Sequence, residues 1–207
     1  MSNIEVVPMS VKIEDPLDGD QILKNLERYG RTCYKSESAI TLDSAKNFVT
    51  NIIKRGHESV IEHEKISVRV ICDRGVTHEI VRHRLASYSQ ESTRYCDYSG
   101  ELQFINPHPY IETGSSMFRD WLAAMHNAAD SYQSLRNAGA PPQMARSVLP
   151  NSLKTEIVMT MNLREWRHFF RLRCAKAAHP QMRAVAFAIL ALFQGKIPII
   201  FDNLFEN

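Results

Sequence analysis

A chain of 207 residues that is 44% hydrophobic is long enough to bury a substantial core, and we predict one domain over residues 1–207. A formal net charge of +2 excludes a protein that coats nucleic acid with its whole surface, although cations can still cluster locally. The apolar runs are too short to cross a bilayer, and the N-terminal residues lack the pattern of a secretion signal. We therefore expect a cytoplasmic protein that contacts no membrane.

The first half of the chain alternates between strand-like and helical patterns. Residues 3–13 alternate as in a strand, and helical spacing follows over 19–30, where Gly30 is predicted to end the helix. A second helix is predicted over 43–55. Residues 65–73 alternate polar and apolar side chains as in a strand with one buried face, and a short helix over 74–86 is predicted to follow.

The second half contains more helix than strand. The predicted elements are a loop and strand over 88–105, helices over 115–137 and 143–148, a strand over 154–161, and helices over 163–178 and 180–194. Most strands are not separated by single helices, so regular parallel βαβ units do not account for them. We predict an α+β fold with a mainly antiparallel sheet flanked by helices.

Arginines provide the most distinctive candidate chemistry. Neither GxGxxG nor GxxxxGK[ST] occurs, so a bound phosphate must be held by side chains. A guanidinium can bind a phosphate or a carbonyl edge through two parallel hydrogen bonds. The arginines that lie beside predicted element ends are Arg82, Arg84, Arg94, Arg146, Arg164 and Arg173.

The stretch RHRLASYSQESTRY, residues 82–95, leaves three interpretations open: a phosphate site, a nucleic-acid contact or a solvated turn. Its hydroxyls and amides beside fixed cations favour a polar ligand with many oxygens. Glu79 lies one helical turn before Arg82 and His83, so part of the charge is expected to be paired locally.

Two other clusters carry polar side chains. In RGHESVIEHEK, the spacing H-E-x-x-x-E-H differs from that of a zinc protease, and we predict hydrogen bonding to a ligand or capping instead of a metal site. In the run after Asn162, Arg164 and His168 share a helix face and can approach one ligand, while the aromatic residues are expected to form core. The four cysteines form no CxxC pair and are predicted to be reduced and without a catalytic role.

These motifs together resemble the flavin-dependent thymidylate synthase family, whose signature is RHR, seven residues and a serine. The chain carries it as Arg82-His83-Arg84 and Ser92, with Arg94 following. The resemblance covers roughly residues 55–200. It extends to residues 57–59, 62–63, 145–150 and the run from Asn162 to Arg173.

The resemblance implies a homotetramer with active sites between subunits. Such an enzyme binds FAD and converts dUMP to dTMP, with methylenetetrahydrofolate as carbon donor and NADPH as reductant. Flavin chemistry needs no protein nucleophile. Nucleic acid is not an expected partner.

The family pattern also assigns residues. The implied flavin contacts are Ser59, Arg82, His83, Arg84, Gln90, Asn162, Arg164 and His168. The implied dUMP contacts are Arg82, Ser92, Arg94, Arg146 and Arg173. Arg173 is the predicted catalytic residue, because a cation beside the uracil ring favours loss of the N3 proton.

Four residues depart from the family pattern. Ser89-Gln90 replaces the Asn-Glu of many members, so that Gln90 offers an amide in place of a carboxylate. Glu79 stands where some members place a Gln near dUMP, and no dUMP contact is assigned to it. His179 lies later than the His that many members carry after the last arginine, and no role is transferred to it.

Overall fold

Two sheets organise the chain in the computed structural model, which describes residues 2–205. The strands are β1 (Ile4–Val7), β2 (Ser10–Ile13), β3 (Lys65–Asp73), β4 (Ala86–Gln90), β5 (Leu102–Ile105) and β6 (Lys154–Asn162). Four of them form an antiparallel sheet in the order β2-β3-β6-β4, while β1 and β5 pair in parallel. The predicted α+β class with a mainly antiparallel sheet is confirmed.

Strands β3 and β6 form the centre of the larger sheet, and their alternating residues explain why. The register pairs Val68 with Met159 and Val70 with Ile157. Successive side chains point to opposite faces, so every second residue of each strand enters the core. The buried members include Ile66, Val68, Val70, Ile157, Met159 and Met161, each at most 1% exposed.

The helices pack around these sheets. They are α1 (Gly19–Thr32), α2 (Ser44–Lys54), α3 (Arg74–Ile80), α4 (Ser116–Asn137), α5 (Pro142–Ala145), α6 (Leu163–Arg173), α7 (Pro180–Gln194) and α8 (Pro198–Phe201). Short 3-10 turns occupy Glu37–Ala39, Glu58–His63 and Arg146–Val148. Within the described range, no helix is both long and apolar enough to span a bilayer.

An aromatic cluster joins the C-terminal helices to the sheet. Trp166 and Phe170 of α6 stack with ring centroids 5.7 Å apart, and Phe193 of α7 packs edge-on against both rings. Phe201 of α8 completes the cluster. All four side chains are fully buried, which confirms the core role predicted for the aromatic residues of α6.

Several predicted boundaries are wrong. The strand predicted over 3–13 is two strands that join different sheets, with Pro8 between them, which has no N–H for a sheet ladder. Gly30 does not end α1 but lies inside it. A Cβ there would lie 2.6 Å from Cε1 of Phe48, so glycine permits the close approach of α2.

Two helices are shorter than predicted. Helix α3 ends at Ile80, where the single hydroxyl proton of Tyr88 is shared between the carbonyl oxygens of Ile80 and His83, at 2.8 and 2.7 Å. Helix α6 ends at Arg173, and Nε of Arg183 donates to the carbonyl of Cys174 just beyond it. The first ending leaves Arg82, His83 and Arg84 in the connection from α3 to β4, and the second places Arg173 at a helix end.

Candidate active site

Arg173, in the last turn of α6, lies at the centre of the candidate site. Its Nε lies 3.0 Å from Nε2 of His83, and its Nη1 donates to Oε2 of Glu79 at 2.7 Å. Its Nη2 donates to the main-chain carbonyl of Glu79 at 2.9 Å. These contacts join the end of α6 to the end of α3. Glu79 pairs with Arg173 and not with Arg82 or His83, so the predicted local pairing is wrong.

His83 links this cation to a buried carboxyl group. Its Nδ1 lies 3.2 Å from Oε1 of Glu165, and its side chain is only 3% exposed. Because Nε2 accepts from Arg173, the ring proton is on Nδ1 and is donated to Glu165. Burial, together with the charges of Arg173 and His168, lowers the pKa of His83 to about 4. His83 is therefore neutral at pH 7.

Glu165 is a site residue that the sequence did not reveal. Burial raises the pKa of its carboxyl group above the ordinary value. Its spacing from Asn162 is that of a helix N-cap, and Oδ1 of Asn162 does accept from the Glu165 main-chain N–H at 2.8 Å. The local pattern therefore indicated a helix start, whereas the contact with His83 depends on the tertiary fold.

His83, Glu165 and His168 place nitrogen and carboxylate atoms within 4.8 Å of one another, a spacing that a metal ion accepts. In this structure, however, the Nε2 lone pair of His83 faces the guanidinium of Arg173. A cation so close repels a metal ion, so the arrangement favours hydrogen bonding.

The H-E-x-x-x-E-H side chains contact separate partners. Nδ1 of His57 lies 3.3 Å from the hydroxyl of Tyr34, and the ring of His63 packs against Tyr29. The two carboxylates bind cations of α6: Glu58 pairs with Arg167 and Arg171, and Glu62 pairs with Arg164. These contacts fix the 3-10 turn to α6. The side chain of its N-cap residue, His57, forms no capping hydrogen bond, and hydrogen bonding of this cluster to a ligand stays a prediction.

Arg82 and Arg84 lie in the exposed connection between α3 and β4. Within residues 2–205, neither guanidinium forms a hydrogen bond or an ion pair with another side chain. The neighbouring Leu85 is 72% exposed. Two unsatisfied guanidinium groups beside an apolar side chain suit an anionic ligand that also has an apolar part.

The turn after β4 gathers three of the predicted dUMP contacts. The main-chain N–H of Arg94 donates to Oγ of Ser92 at 3.3 Å, and the Arg94 guanidinium lies over the Tyr95 ring. Nη1 of Arg146 donates to Oγ1 of Thr93 at 3.1 Å. The structure therefore brings the Ser92, Arg94 and Arg146 side chains to one turn, where two exposed cations face solvent.

The remaining predicted flavin contacts divide into exposed and engaged side chains. Ser59, Arg164 and His168 are exposed on the 3-10 turn at Glu58–His63 and on α6, which pack together. Gln90 is turned inward, and its Nε2 donates to the hydroxyls of Thr77 and Thr155 at 3.1 and 3.3 Å. The hydrogen bonds of Gln90 and Asn162 inside the chain occupy one end of each amide and leave the other end available.

Comparisons with known proteins agree on one family. The family described as "Thymidylate synthase complementing protein" matches residues 19–199. A flavin-dependent thymidylate synthase of Geobacter sulfurreducens is 37% identical over 185 residues, which cover 84% of this chain and 78% of that protein. Another, from Mycobacterium sp. (strain JLS), is 35% identical over 219 residues and covers 95% of this chain and 85% of that protein.

A solved structure shares the fold. The UMP/dUMP methylase PolB from Streptomyces cacaoi, crystallised with 5-Br dUMP, superposes with a TM-score of 0.78. The match covers 97% of this chain and 95% of that chain at 19% sequence identity.

Proposed function

The chain belongs to the flavin-dependent thymidylate synthase family, and we propose that it converts dUMP to dTMP by reductive methylation. Methylenetetrahydrofolate would donate the carbon and NADPH the reducing equivalents, with FAD as the bound cofactor. The observation that carries the proposal is Arg173, because this arginine, which ends the family-like run from Asn162, is held in a fixed orientation at a half-buried helix end.

Arg173 would act on the pyrimidine ring. Three of its five N–H donors are taken by His83 and Glu79, which leaves two for carbonyl oxygens of uracil. A cation at this position lowers the pKa of the N3–H group and withdraws charge from the ring. Arg82, Ser92, Arg94 and Arg146 would hold the rest of dUMP, with the guanidinium groups of Arg94 and Arg146 on the phosphate.

FAD matches the charges and hydrogen-bond donors of the residues that the family pattern assigns to the flavin cofactor. The free guanidinium groups of Arg82 and Arg84 match the pyrophosphate, which carries negative charge and many acceptor oxygens. The other proposed contacts are Ser59, His83, Gln90, Asn162, Arg164 and His168. When bound, the flavin supplies the redox chemistry, while the residues of the chain provide position and charge.

The buried cysteines support a route without a protein nucleophile. Burial raises the pKa of the Cys174 thiol to about 11 and raises that of Cys72 well above its ordinary value. The thiolate, which is the reactive form, is therefore scarce at neutral pH at both positions.

We further propose that the protein works in the cytosol as a homotetramer with active sites between subunits. The support is that the turn after β4, the Arg82–Arg84 connection and the 3-10 turn at Glu58–His63 present exposed polar groups on different elements of one chain. Exposed apolar side chains lie beside two of them: Leu85 is 72% exposed and Tyr95 is 79% exposed. A second chain would cover these side chains and bring the polar groups together.

Flavin content and substrate-dependent oxidation of NADPH test the proposed activity. The purified protein is expected to bind FAD and turn yellow, to oxidise NADPH faster with dUMP, and to form dTMP once the folate is added. A protein that stays colourless after reconstitution with FAD contradicts the proposal. Oxidation of NADPH without any dTMP would indicate a reductase, and flavin-independent, strongly salt-dependent binding of nucleic acid would indicate a nucleic-acid-binding protein.

A further inference from the structure

Glu79 holds Arg173 with two different groups. Its carboxylate accepts from Nη1 at 2.7 Å, and its main-chain carbonyl accepts from Nη2 at 2.9 Å. Both terminal nitrogens of the guanidinium are therefore bound by one residue at the end of α3. The side chains of Arg173 and Glu79 are 18% and 29% exposed, so solvent screens this pair only in part.

The other end of the guanidinium is held as well. Nε donates to His83, whose opposite nitrogen donates to Glu165, so that a carboxyl group stands at each end of the chain of contacts. A guanidinium is planar, and contacts at both Nε and the terminal nitrogens fix the plane. The two N–H donors of Arg173 that remain free therefore point in a fixed direction.

Glu79 is itself restrained by the segment that follows α6. Its Oε1 lies 3.8 Å from Nδ1 of His179, and the hydroxyl of Tyr110 contacts the same imidazole ring. The main-chain end of α3 is anchored by the hydroxyl of Tyr88, which donates to Ile80. Glu79 and His179, the two positions that sequence patterns left without a role, thus meet beside Arg173.

We propose that Glu79 is a positioning residue, which sets the orientation of Arg173 and tempers its charge without contacting the reacting atoms. This inference rests on the proposed function, since it takes the Arg173 N–H donors to be those that bind the pyrimidine. A carboxylate is tolerated beside an anionic nucleotide because its charge is already compensated by Arg173. Glu79 therefore acts through Arg173 and not as a direct dUMP contact.

A double-mutant cycle in the FAD-loaded protein tests this role. The dissociation constant of dUMP is measured without NADPH or folate, from the absorbance change of the bound flavin, for wild type, Glu79→Ala, Arg173→Lys and the double variant. Glu79→Ala is expected to weaken dUMP binding roughly tenfold, as for loss of one charged hydrogen bond. In the Arg173→Lys background the same change is expected to weaken dUMP binding less than threefold, because the planar guanidinium that Glu79 orients is already absent. Equal effects in both backgrounds overturn the proposal.

Two further variants separate positioning from general damage. Glu79→Gln keeps an acceptor oxygen for Nη1 and is expected to recover binding to within about threefold of wild type. Glu14→Gln is the matched control, because Glu14 forms a comparable 2.9 Å ion pair with Arg69 beside β2, at the opposite edge of the sheet from β4, and dUMP affinity should not change. A Glu79→Gln variant as weak as Glu79→Ala contradicts the positioning role. If Glu79→Ala does not fold, Glu79→Asp takes its place, since its carboxylate is one methylene short.

The outcomes also distinguish this inference from the proposed function. Nucleotide binding is measured without turnover, so the cycle stays readable if the wild-type protein forms no dTMP. If the effects of the two substitutions on dUMP binding depend on each other as predicted but no dTMP forms, the proposed activity alone is contradicted. Normal dTMP formation with additive effects would contradict the role of Glu79 alone.

Discussion

Two groups of arginines in the candidate site differ in whether the chain itself compensates their charge. Arg173 is half-buried, and its guanidinium is bound by Glu79 and His83. Arg82 and Arg84 are exposed, and within residues 2–205 their guanidinium groups contact no acidic partner. A charged group that is buried needs compensation from the protein, whereas an exposed charged group stays hydrated until an anionic ligand binds. Changes around Arg173 should therefore affect both fold and chemistry, and changes in the exposed pair should affect binding alone.

The largest effect is expected from Arg173→Lys. Lysine keeps the positive charge but cannot reproduce a planar fork that contacts Glu79, His83 and a substrate together. One charged hydrogen bond contributes about 1.5 to 3 kcal/mol, so kcat for dTMP formation should fall at least tens-fold. The measurement is dTMP formed per flavin at saturating substrates.

Arg171→Lys is the matched control for that change. Arg171 lies on the same helix, and its 44% exposed side chain pairs with Glu58 away from the Arg173 cluster. Its replacement should leave kcat within about twofold, because exposed ion pairs contribute little. Near-normal turnover of Arg173→Lys would remove Arg173 from the activating role.

A pH effect on stability is expected from His83. The unfolded chain binds a proton on this ring below the ordinary pKa of 6.5, whereas burial delays protonation in the folded chain to a pKa of about 4. The unfolded state therefore holds more protons between these values, and stability falls as pH falls through that window. Between pH 7 and pH 5 the free energy of unfolding should drop by about 2 kcal/mol through His83.

Urea unfolding at one fixed protein concentration measures this loss. His83→Gln cannot titrate, so its loss between the two pH values should be smaller than that of wild type by about the same amount. The raised pKa of Glu165 acts in the opposite direction in both proteins and largely cancels in the difference. Equal losses in wild type and His83→Gln would show that His83 is not held neutral by the fold.

The smallest change to the fold is expected from Arg84→Ala. Its guanidinium contacts no partner within residues 2–205, so the free energy of unfolding without cofactor should stay within about 0.5 kcal/mol of wild type. FAD affinity should fall about tenfold, which corresponds to loss of one contact with the pyrophosphate. Titration of FAD into the cofactor-free protein measures this, and Arg119→Ala on α4 serves as an exposed-arginine control. Unchanged FAD affinity would contradict the proposed role of Arg84.

The sequence predicted those helices and strands in which buried residues recur at regular intervals along the chain. Strands β3 and β6 alternate as expected, and α4 begins after Ser115, whose side chain accepts from Phe118 as an N-cap does. The ends of α3 and α6 could not be predicted, because they depend on Tyr88 and Arg183 reaching carbonyls from other elements. Local patterns contain no information on such contacts.

The candidate site was likewise predictable from the sequence only in part. The residue types near Arg82 and Arg173 marked both segments as polar binding elements before the fold was known. Their partners could not be predicted, since Glu79 contacts Arg173 across 94 positions and His83 contacts Glu165 across 82. These pairs exist because the end of α3 and the segment that follows it contact both the first and the last turn of α6, which is a property of the tertiary fold.

Carbon transfer is the most direct test of the proposed function. The FAD-loaded protein is incubated with dUMP, NADPH and methylenetetrahydrofolate that carries an isotopic label in its methylene carbon, and the nucleotide product is analysed by mass spectrometry. The proposed reaction predicts dTMP with the label in its C5 methyl group, formed only when all three substrates are present. Oxidation of NADPH with no label in the pyrimidine would contradict it.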